Sequence, residues 1–340
     1  MAVVNLFSRS NTAVLHLFVS CSDFLPAVLN VKRDSLVTSS NYCIEMKNLK
    51  HNPLVSILLN CFNSSPYISR AIQSVIDQSY KNWELIIWDD GSSDNTVKKI
   101  KKFDDSRIKL FLQKKNLGLG SSRIKAIKKI KGSLVSILDS DDFINRHKIK
   151  KQVNIFNKNK NISICGTWAK FYDENLNIKK KFTSKLSNID LKKRLLFVNI
   201  LPHSSLMYKK ESAIKVGWYS KKFEYSQDFD LTLKLLKKND IYLIKEHLTN
   251  ITQPLNNMSN SIIFSKIRIK ENIKILKNNL SNSNISINEK KILKNLIQIN
   301  SIKLALSSIR VNFFKSFKNL IDLLLKNPSI IFKLNLIKKL

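Results

Sequence analysis

Three short polar stretches follow apolar runs in this sequence, and their side chains are suited to binding chemistry. They are residues 60–63 (Asn-Cys-Phe-Asn), 89–92 (Asp-Asp-Gly-Ser) and 139–142 (Asp-Ser-Asp-Asp). The third stretch has three carboxylates in four residues, whose mutual repulsion is costly unless a cation is shared. Oxygen-only ligands suit Mg²⁺ or Mn²⁺, which complete their shells with water and phosphate oxygens. The alternative is a solvated turn in which Asp142 caps the next helix.

The second stretch, which begins at Asp89 and Asp90, is compatible with two roles. Asp-Gly is a common turn, and Ser93 or Asp94 can cap the helix that follows. An aspartate at a strand end can instead accept hydrogen bonds from the base or ribose of a nucleotide. A dinucleotide enzyme is disfavoured, because residues 118–123 lack the third glycine of the dinucleotide fingerprint and follow the wrong strand.

The elements that must position these residues follow from the alternation of apolar runs with helix-period stretches, which predicts βαβα order from Pro53 onward. Strands are predicted at 55–59, 84–88, 108–112 and 134–138, and helices at 68–76, 96–102, 119–130 and around 149–156. Ligands bind at the carboxyl ends of parallel strands. The three polar stretches therefore converge if the first strand lies between the second and the fourth.

Beyond residue 160 the alternation is less regular. Strands are predicted at 204–208 and 241–244, with a helix at 229–237 between them. From Ser259 onward the sequence is rich in Lys, Asn and Ile and has helical periodicity, which predicts a C-terminal helical region over 251–340. The three cations and three anions of the first 45 residues give that segment a net charge of zero, so the whole charge of +34 lies in the rest of the chain. Because of this abrupt change in composition, residues 1–50 are predicted to be a weakly ordered extension.

The formal net charge of +34 comes from 59 Lys and Arg against 25 Asp and Glu. Lysines outnumber arginines strongly, and specific nucleic-acid recognition relies on bidentate arginines, so we expect no specific nucleic-acid partner. The four cysteines form no C-x-x-C pair, and there is no clean signal peptide, which favours the cytoplasm. The apolar stretch 13–31 is interrupted by polar residues and is not expected to span a bilayer.

An amphipathic pattern with a basic polar side occupies residues 313–325 near the end of the chain. Its apolar side carries three phenylalanines, and lysines lie elsewhere on the helix. Such a helix can contact an anionic membrane. The alternative is packing of the same stripe against the catalytic domain or a second subunit.

The order of the motifs over residues 51–250 resembles glycosyltransferase family 2. The motifs that carry the resemblance are residues 53–59, 62–63, 71–96, 116–118, 138–142, 202–207 and 227–231, with Arg123 and Gly132 between them. The resemblance implies a GT-A (Rossmann-like) domain over 51–250, an α/β fold whose mostly parallel sheet is flanked by helices. It also implies an enzyme that transfers a sugar from a nucleotide diphosphate sugar, most commonly a UDP-sugar, to a glycan or lipid-linked acceptor, usually with inversion.

The same resemblance assigns roles to individual residues. Asp228 matches the catalytic carboxylate, and the metal-binding motif matches Asp141, with Asp139 and Asp142 beside it. The residues expected to bind the nucleotide sugar are Phe62, Asn63, Asp89, Asp90, Arg123, Asp139 and His203. A divalent cation, Mn²⁺ or Mg²⁺, is the implied cofactor, and bacterial surface polysaccharide synthesis is the implied process.

Several alternatives remain open from the sequence. Asp228 could cap a helix beginning near Phe229, His203 could be only hydrogen-bonded, and Arg123 could form a surface salt bridge. A sugar nucleotidyltransferase is a competing enzyme class. It would require a glycine-rich basic loop directly after the first strand, but residues 60–65 contain neither glycine nor a cation. A non-catalytic binder of nucleic acid or anionic surfaces is the other competing class.

Overall fold

The computed structural model describes residues 52–254, 262–281 and 285–309. The extension predicted for residues 1–50 and the amphipathic helix predicted for residues 313–325 lie outside these ranges. Among the helices of the described ranges, none combines the length and the apolar character needed to cross a bilayer.

The first half of the sheet consists of four parallel strands, all of them predicted. They are β1 (Val55–Cys61), β2 (Trp83–Asp89), β3 (Ile108–Leu112) and β4 (Leu134–Asp139). β1 lies between β2 and β4, where Val55 is paired with Trp83 on one side and Leu134 on the other. The central strands β1, β2 and β4 are largely apolar because helices cover both faces of the sheet. The condition for convergence is therefore met, and the carboxyl ends of β1, β2 and β4 meet at one edge.

The helices of this half are α1 (Ile68–Ile76), α2 (Thr96–Ile100), α3 (Leu119–Ala126) and α4 (Lys148–Lys158). On the apolar face of α1, Ile68, Ala71, Ile72 and Val75 are buried and Ile76 is partly buried. The helix predicted over 119–130 is shorter than expected, because α3 gives way to a 3₁₀ turn at Ile127–Lys129.

The second half of the sheet is mixed. It contains β5 (Phe143–Ile144), β6 (Ile162–Tyr172), β7 (Ile178–Phe182), β8 (Met207–Lys209) and β9 (Asp240–Thr252). The sheet order is β3-β2-β1-β4-β8-β6-β9-β5, with β7 paired to β6. β8 is antiparallel to β4 and β6, whereas β6 and β9 are parallel. The strand predicted at 204–208 begins only at Met207, because His203–Ser205 form a 3₁₀ turn.

The remaining helices are α5 (Asn188–Leu195), α6 (Lys210–Lys215), α7 (Gln227–Leu236), α8 (Ile262–Leu280) and α9 (Ile287–Ile309). α7 begins two residues before the predicted start. The helical prediction for the C-terminal region is confirmed where that region is described. α7, α8 and α9 share a small apolar core to which Phe229, Ile275 and Leu293 contribute.

Alternate side chains of the parallel strands supply two separate cores, one on each face of the sheet. Leu58 and Ile86 lie in the core covered by α3, α5 and α7. Ile57 and Leu85 lie in the core covered by α1, α2 and α4. Because side chains of a strand point alternately to the two faces, this division follows directly from the apolar runs. The resulting arrangement has three layers, with the sheet between two sets of helices.

Lys148, at the start of α4, is fully buried beneath the sheet. Its Nζ donates a hydrogen bond to Ser136 Oγ at 3.0 Å. Burial lowers the pKa of Lys148 from its ordinary value of 10.5 to about 7. The charged form of this side chain is therefore disfavoured in the folded protein.

We expect the free energy of unfolding to rise with pH between about 7 and 10.5 because of Lys148. In this window the unfolded chain binds a proton that the folded chain has released, so raising the pH favours folding. The contribution to the slope is at most about 1.4 kcal/mol per pH unit. Urea denaturation at several pH values, compared between the wild type and Lys148→Met, measures it. Lys150→Met, which removes an exposed lysine of the same helix, should leave the slope unchanged; equal slopes in all three proteins would contradict the prediction.

Candidate active site

The turn after β1 is tied to the turn after β2 through Asn63. The φ angle of Asn63 is 46°, in the left-handed region that asparagine tolerates better than most residues. Its Oδ1 accepts the N–H of Ser93 at 2.9 Å, and its own N–H donates to Ser92 Oγ at 2.9 Å. The neighbouring Phe62 side chain is 46% exposed. An aromatic face is thus open to solvent beside a well-ordered polar turn.

Asp89 and Asp90 are both buried and both shape loops. The carboxylate of Asp89 accepts the N–H of Ser92 at 2.9 Å. The carboxylate of Asp90 accepts the N–H groups of Leu117 at 3.1 Å and Gly118 at 3.0 Å, which holds the loop before α3 at the end of β2. Gly118 has a φ of 85°, a conformation that glycine adopts without strain. Asp89 and Asp90 therefore stabilise a turn and a loop by accepting main-chain hydrogen bonds.

Arg123 extends from α3 to the end of β4. Its Nη2 lies 3.1 Å from Asp139 Oδ1 and 3.1 Å from His203 Nδ1. His203 Nε2 lies 3.2 Å from the Tyr219 hydroxyl. The alternative of a surface salt bridge for Arg123 is wrong, because only 6% of this residue is exposed. Arg123, Asp139 and His203 form one connected cluster.

The partners of Asp139 keep its carboxylate ionised. Burial raises the pKa of Asp139, but the hydrogen bonds and charges of His203 and Arg123 outweigh burial and hold this pKa well below its usual range. The main chain is also fixed, because the N–H of Asp139 donates to Ser204 Oγ at 3.0 Å. The side chain nevertheless remains 36% exposed. One face of this carboxylate is consequently available to a ligand.

Asp141 carries a carboxylate whose charge is poorly compensated. Burial, followed by the charge of Asp139, raises the pKa of Asp141 to about 7. Arg70 lies nearby, but its Nη2 donates to the main-chain oxygen of Asp141, at 3.1 Å. A cation at this turn would relieve the repulsion between the two carboxylates.

Asp142 has a different environment from Asp141. It is 3% exposed, and its carboxylate accepts hydrogen bonds from the Ser204 hydroxyl and from the N–H of Thr252 at 2.9 Å. The alternative of Asp142 as a helix cap is wrong, since α4 begins at Lys148 and the residue preceding it is His147. Asp142 joins the turn after β4 to β9.

Asp228 lies in the first turn of α7. The alternative that it caps this helix is wrong, because the helix begins at Gln227 and Ser226 is the N-cap. Asp228 Oδ2 accepts a hydrogen bond from Asn199 Nδ2 at 2.6 Å. Burial lowers the pKa of Arg123, but the charge of Asp139 and smaller contributions that include the charge of Asp228 raise it overall. Asp228 therefore belongs to the same electrostatic cluster as Arg123 and its partners.

Asp230, two positions beyond Asp228, is neutralised within its own helix. Its Oδ2 lies 2.9 Å from Lys234 Nζ, one turn further along α7. Asp228 and Asp230 thus have different partners although they lie in the same helical turn.

The structure connects the predicted residues through contacts at the carboxyl edge of the sheet. Ser64 Oγ lies 2.7 Å from Ser140 Oγ, which joins the turn after β1 to the turn after β4. Sequence reasoning missed Ser64, Asn199 and Tyr219 as site residues. Asn199 and Tyr219 stand in no motif, so only their contacts with Asp228 and His203 reveal them.

Comparison with known proteins assigns the chain to a family. An uncharacterized glycosyltransferase of Methanocaldococcus jannaschii is 30% identical over 229 residues, which cover 64% of this chain and 79% of that protein. The family model named Glycosyl transferase family 2 matches residues 56–217. The chain belongs to glycosyl transferase family 2. It is therefore a glycosyltransferase, as the motifs predicted.

A second relative of this family-2 glycosyltransferase has a specific name. The UDP-Glc:alpha-D-GlcNAc-diphosphoundecaprenol beta-1,3-glucosyltransferase WfgD of Escherichia coli is 33% identical over 193 residues, covering 56% of this chain and 73% of WfgD. Asp228 and the helices α7–α9 lie beyond residue 217, where the family model stops matching.

Solved structures show that this glycosyltransferase has the GT-A fold. Staphylococcus aureus TarS in complex with UDP-GlcNAc superposes with a TM-score of 0.60 at 16% identity, over 81% of each chain. The mannosyltransferase PcManGT of Pyrobaculum calidifontis, in complex with GDP-Man and Mn²⁺, superposes with a TM-score of 0.56 at 12% identity, over 83% of each chain. The predicted fold class, an α/β sheet flanked by helices with a C-terminal helical region, is confirmed.

Proposed function

We propose that this glycosyltransferase transfers a sugar from a nucleotide diphosphate sugar, a UDP-sugar foremost, to a hydroxyl of a glycan or lipid-linked acceptor. The observation that carries the proposal is the cluster of Arg123, Asp139 and His203 with Asp228 beside it, at the carboxyl edge of the parallel strands. Ligands of open parallel sheets bind at this edge. The cluster combines fixed positive charge for phosphate with a carboxylate for proton transfer.

Asp228 is the proposed general base. The acceptor oxygen forms a bond to the anomeric carbon, the bond from that carbon to the diphosphate oxygen breaks, and the hydroxyl proton moves to Asp228. A single displacement of this kind inverts the anomeric centre. The hydrogen bond from Asn199 to Oδ2 orients the carboxylate, which a general base requires.

The nucleotide is proposed to lie over the turns after β1 and β2. The exposed ring of Phe62 offers a stacking surface, and Asn63, Asp89 and Asp90 set the shape of the turns around it. Arg123 and His203 lie beside Asp139, and the diphosphate is proposed to contact them. TarS and PcManGT, whose fold this chain shares, have been solved with UDP-GlcNAc and GDP-Man.

A divalent cation fits the donor set of Asp139 and Asp141. Both offer carboxylate oxygens, and the pKa of Asp141 is raised first by burial and then by the charge of Asp139, which Mg²⁺ or Mn²⁺ would compensate. Within the residues that the structure describes, no three His, Cys, Asp or Glu side chains form a ready metal cluster. The cation would therefore complete its shell with water and the donor's phosphates, where it would stabilise the charge of the leaving diphosphate. We leave Asp142 outside this donor set, because Ser204 and Thr252 already bind its carboxylate.

The acceptor is proposed to belong to bacterial surface polysaccharide synthesis at the cytoplasmic side of the membrane. WfgD is named for an acceptor linked to diphosphoundecaprenol. The net charge of +34 would favour contact with an anionic membrane surface. Residues 311–340, where the sequence predicts such a contact, lie outside the described ranges.

Titration of UDP into the purified protein, with and without Mn²⁺, tests the donor site. We expect UDP binding to require the metal and to weaken at least about tenfold in Asp141→Ala, because one of the two carboxylate ligands is lost. Asp104→Ala removes an exposed carboxylate elsewhere and is the matched control. Preferred binding of GDP or dTDP would change the donor assignment, and binding of no nucleotide would overturn the proposed donor site.

A further inference from the structure

The loop just before Asp228 is held by a single carboxylate from the C-terminal helices. Glu271 on α8 accepts three backbone N–H groups in succession. Its Oε1 accepts the N–H of Glu224 at 2.6 Å, and its Oε2 accepts those of Tyr225 at 3.0 Å and Ser226 at 2.8 Å. Hydrogen bonds to an ionised carboxylate are among the strongest that proteins form. The loop is therefore fixed to α8 by its main chain.

This contact replaces a cap that α7 lacks. Ser226 is the N-cap of α7, yet its side chain makes no cap hydrogen bond, and its buried hydroxyl has no partner within the described ranges. The N-terminal end of a helix carries a partial positive charge and favours a nearby anion. The carboxylate of Glu271 supplies that anion from another element, 45 residues further along the chain than Ser226.

The other side of the same loop is bound to the start of α3. Glu224 Oε1 accepts the N–H of Gly120 at 3.3 Å, and Gln227 Nε2 donates to the carbonyl of Gly120 at 3.3 Å. Asp90 holds the residues immediately before α3. The loop before Asp228 therefore contacts α8 on one side and the start of α3 on the other.

We propose that Glu271 is a positioning residue that sets the orientation of Asp228 by fixing the main chain of residues 224–226. This inference rests on the proposed role of Asp228 and adds a function for the C-terminal helical region, which lies outside the residues matched by the family model. Glu271 contacts no reacting atom. It acts only through the loop and the first turn of α7.

Steady-state kinetics of the full chain, with Mn²⁺ and the UDP-sugar identified by screening, tests this role. Glu271→Gln keeps the size of the side chain and removes its charge. We expect kcat to fall about 10- to 100-fold, because small displacements of a catalytic group are costly, while the KM for the donor and the affinity for UDP change less than about threefold. Glu289→Gln alters a half-buried glutamate of α9, whose carboxylate accepts the N–H of Ser286 at 2.9 Å, and should leave kcat unchanged.

A double-mutant cycle with Asp228→Asn separates positioning from a general structural role. Where no base remains to be oriented, the further effect of Glu271→Gln on kcat should shrink to less than about twofold. An undiminished effect in that background, or an equal loss of UDP affinity, would overturn the positioning role. Full activity of Asp228→Asn would overturn the proposed base itself, and retained UDP binding would show that the donor site survives that result. Glu271→Asp, which restores the charge on a shorter side chain, should recover part of kcat.

Discussion

Replacing Asp228 with asparagine is expected to lower kcat for sugar transfer by about 10²–10⁴-fold, the range in which a general base contributes. The amide cannot accept the acceptor's proton, yet it has nearly the same shape, and Asn199 can still contact it. We therefore expect UDP affinity and thermal stability to remain close to those of the wild type. Initial rates with a radiolabelled UDP-sugar, together with UDP titration, measure both quantities.

Asp230→Asn is the matched control for this prediction. It makes the same chemical change in the same helical turn, but at a carboxylate whose partner is Lys234. We expect its kcat to stay within about threefold of the wild type, since an ion pair within one helix contributes little. If the two variants lost activity equally, the loss would come from α7 as a whole and Asp228 would have no special role.

Replacing Arg123 with methionine is expected to lower the free energy of unfolding by about 2–4 kcal/mol. Breaking a buried ion pair by removing one partner leaves an uncompensated charge, here that of Asp139. We expect a smaller loss of unfolding free energy than for a fully buried ion pair, because the Asp139 side chain remains 36% exposed and is partly solvated. Urea denaturation at neutral pH measures the change, and UDP affinity should fall as well if Arg123 faces the diphosphate.

Lys215→Met provides the comparison for Arg123→Met. Lys215 pairs with Glu211 one turn away on α6, and both side chains are exposed. Such pairs contribute about 0.3–0.5 kcal/mol. A loss for Arg123→Met no larger than that for Lys215→Met would show that the Arg123 cluster does not stabilise the fold.

Residue patterns alone were enough to predict the parallel half of the fold. β3 has the predicted bounds, and the predicted β1, β2 and β4 extend by only one or two residues. β1, β2 and β4 are almost entirely buried, so their largely apolar runs are easily distinguished from the helices between them. β6 and β7 were missed, because exposed lysines interrupt the apolar pattern over much of β7 and the periodicity beyond residue 160 is irregular.

The candidate site was predictable only in part. The aspartates at strand ends could be found because parallel strands bring their carboxyl ends to one edge, which makes convergence a consequence of strand order. The different roles of the aspartates in residues 139–142 could not be predicted from the sequence. Asp139 and Asp142 are the same residue type, and only their contacts distinguish them. Asp139 pairs with Arg123 and stays partly exposed, whereas the Asp142 carboxylate is bound by Ser204.

The sequence by itself determined the four parallel strands and the helices between them, the turns that carry the carboxylates and the family of the chain, because each depends on neighbouring residues or on motif order. The tertiary structure decided the partners: Asn199 for Asp228, Tyr219 for His203 and Glu271 for the loop before α7. Those partners lie on separate elements, and no local pattern marks them. Hydrogen bonds between such residues exist only once the packing of helices against the sheet has set their distances and excluded water.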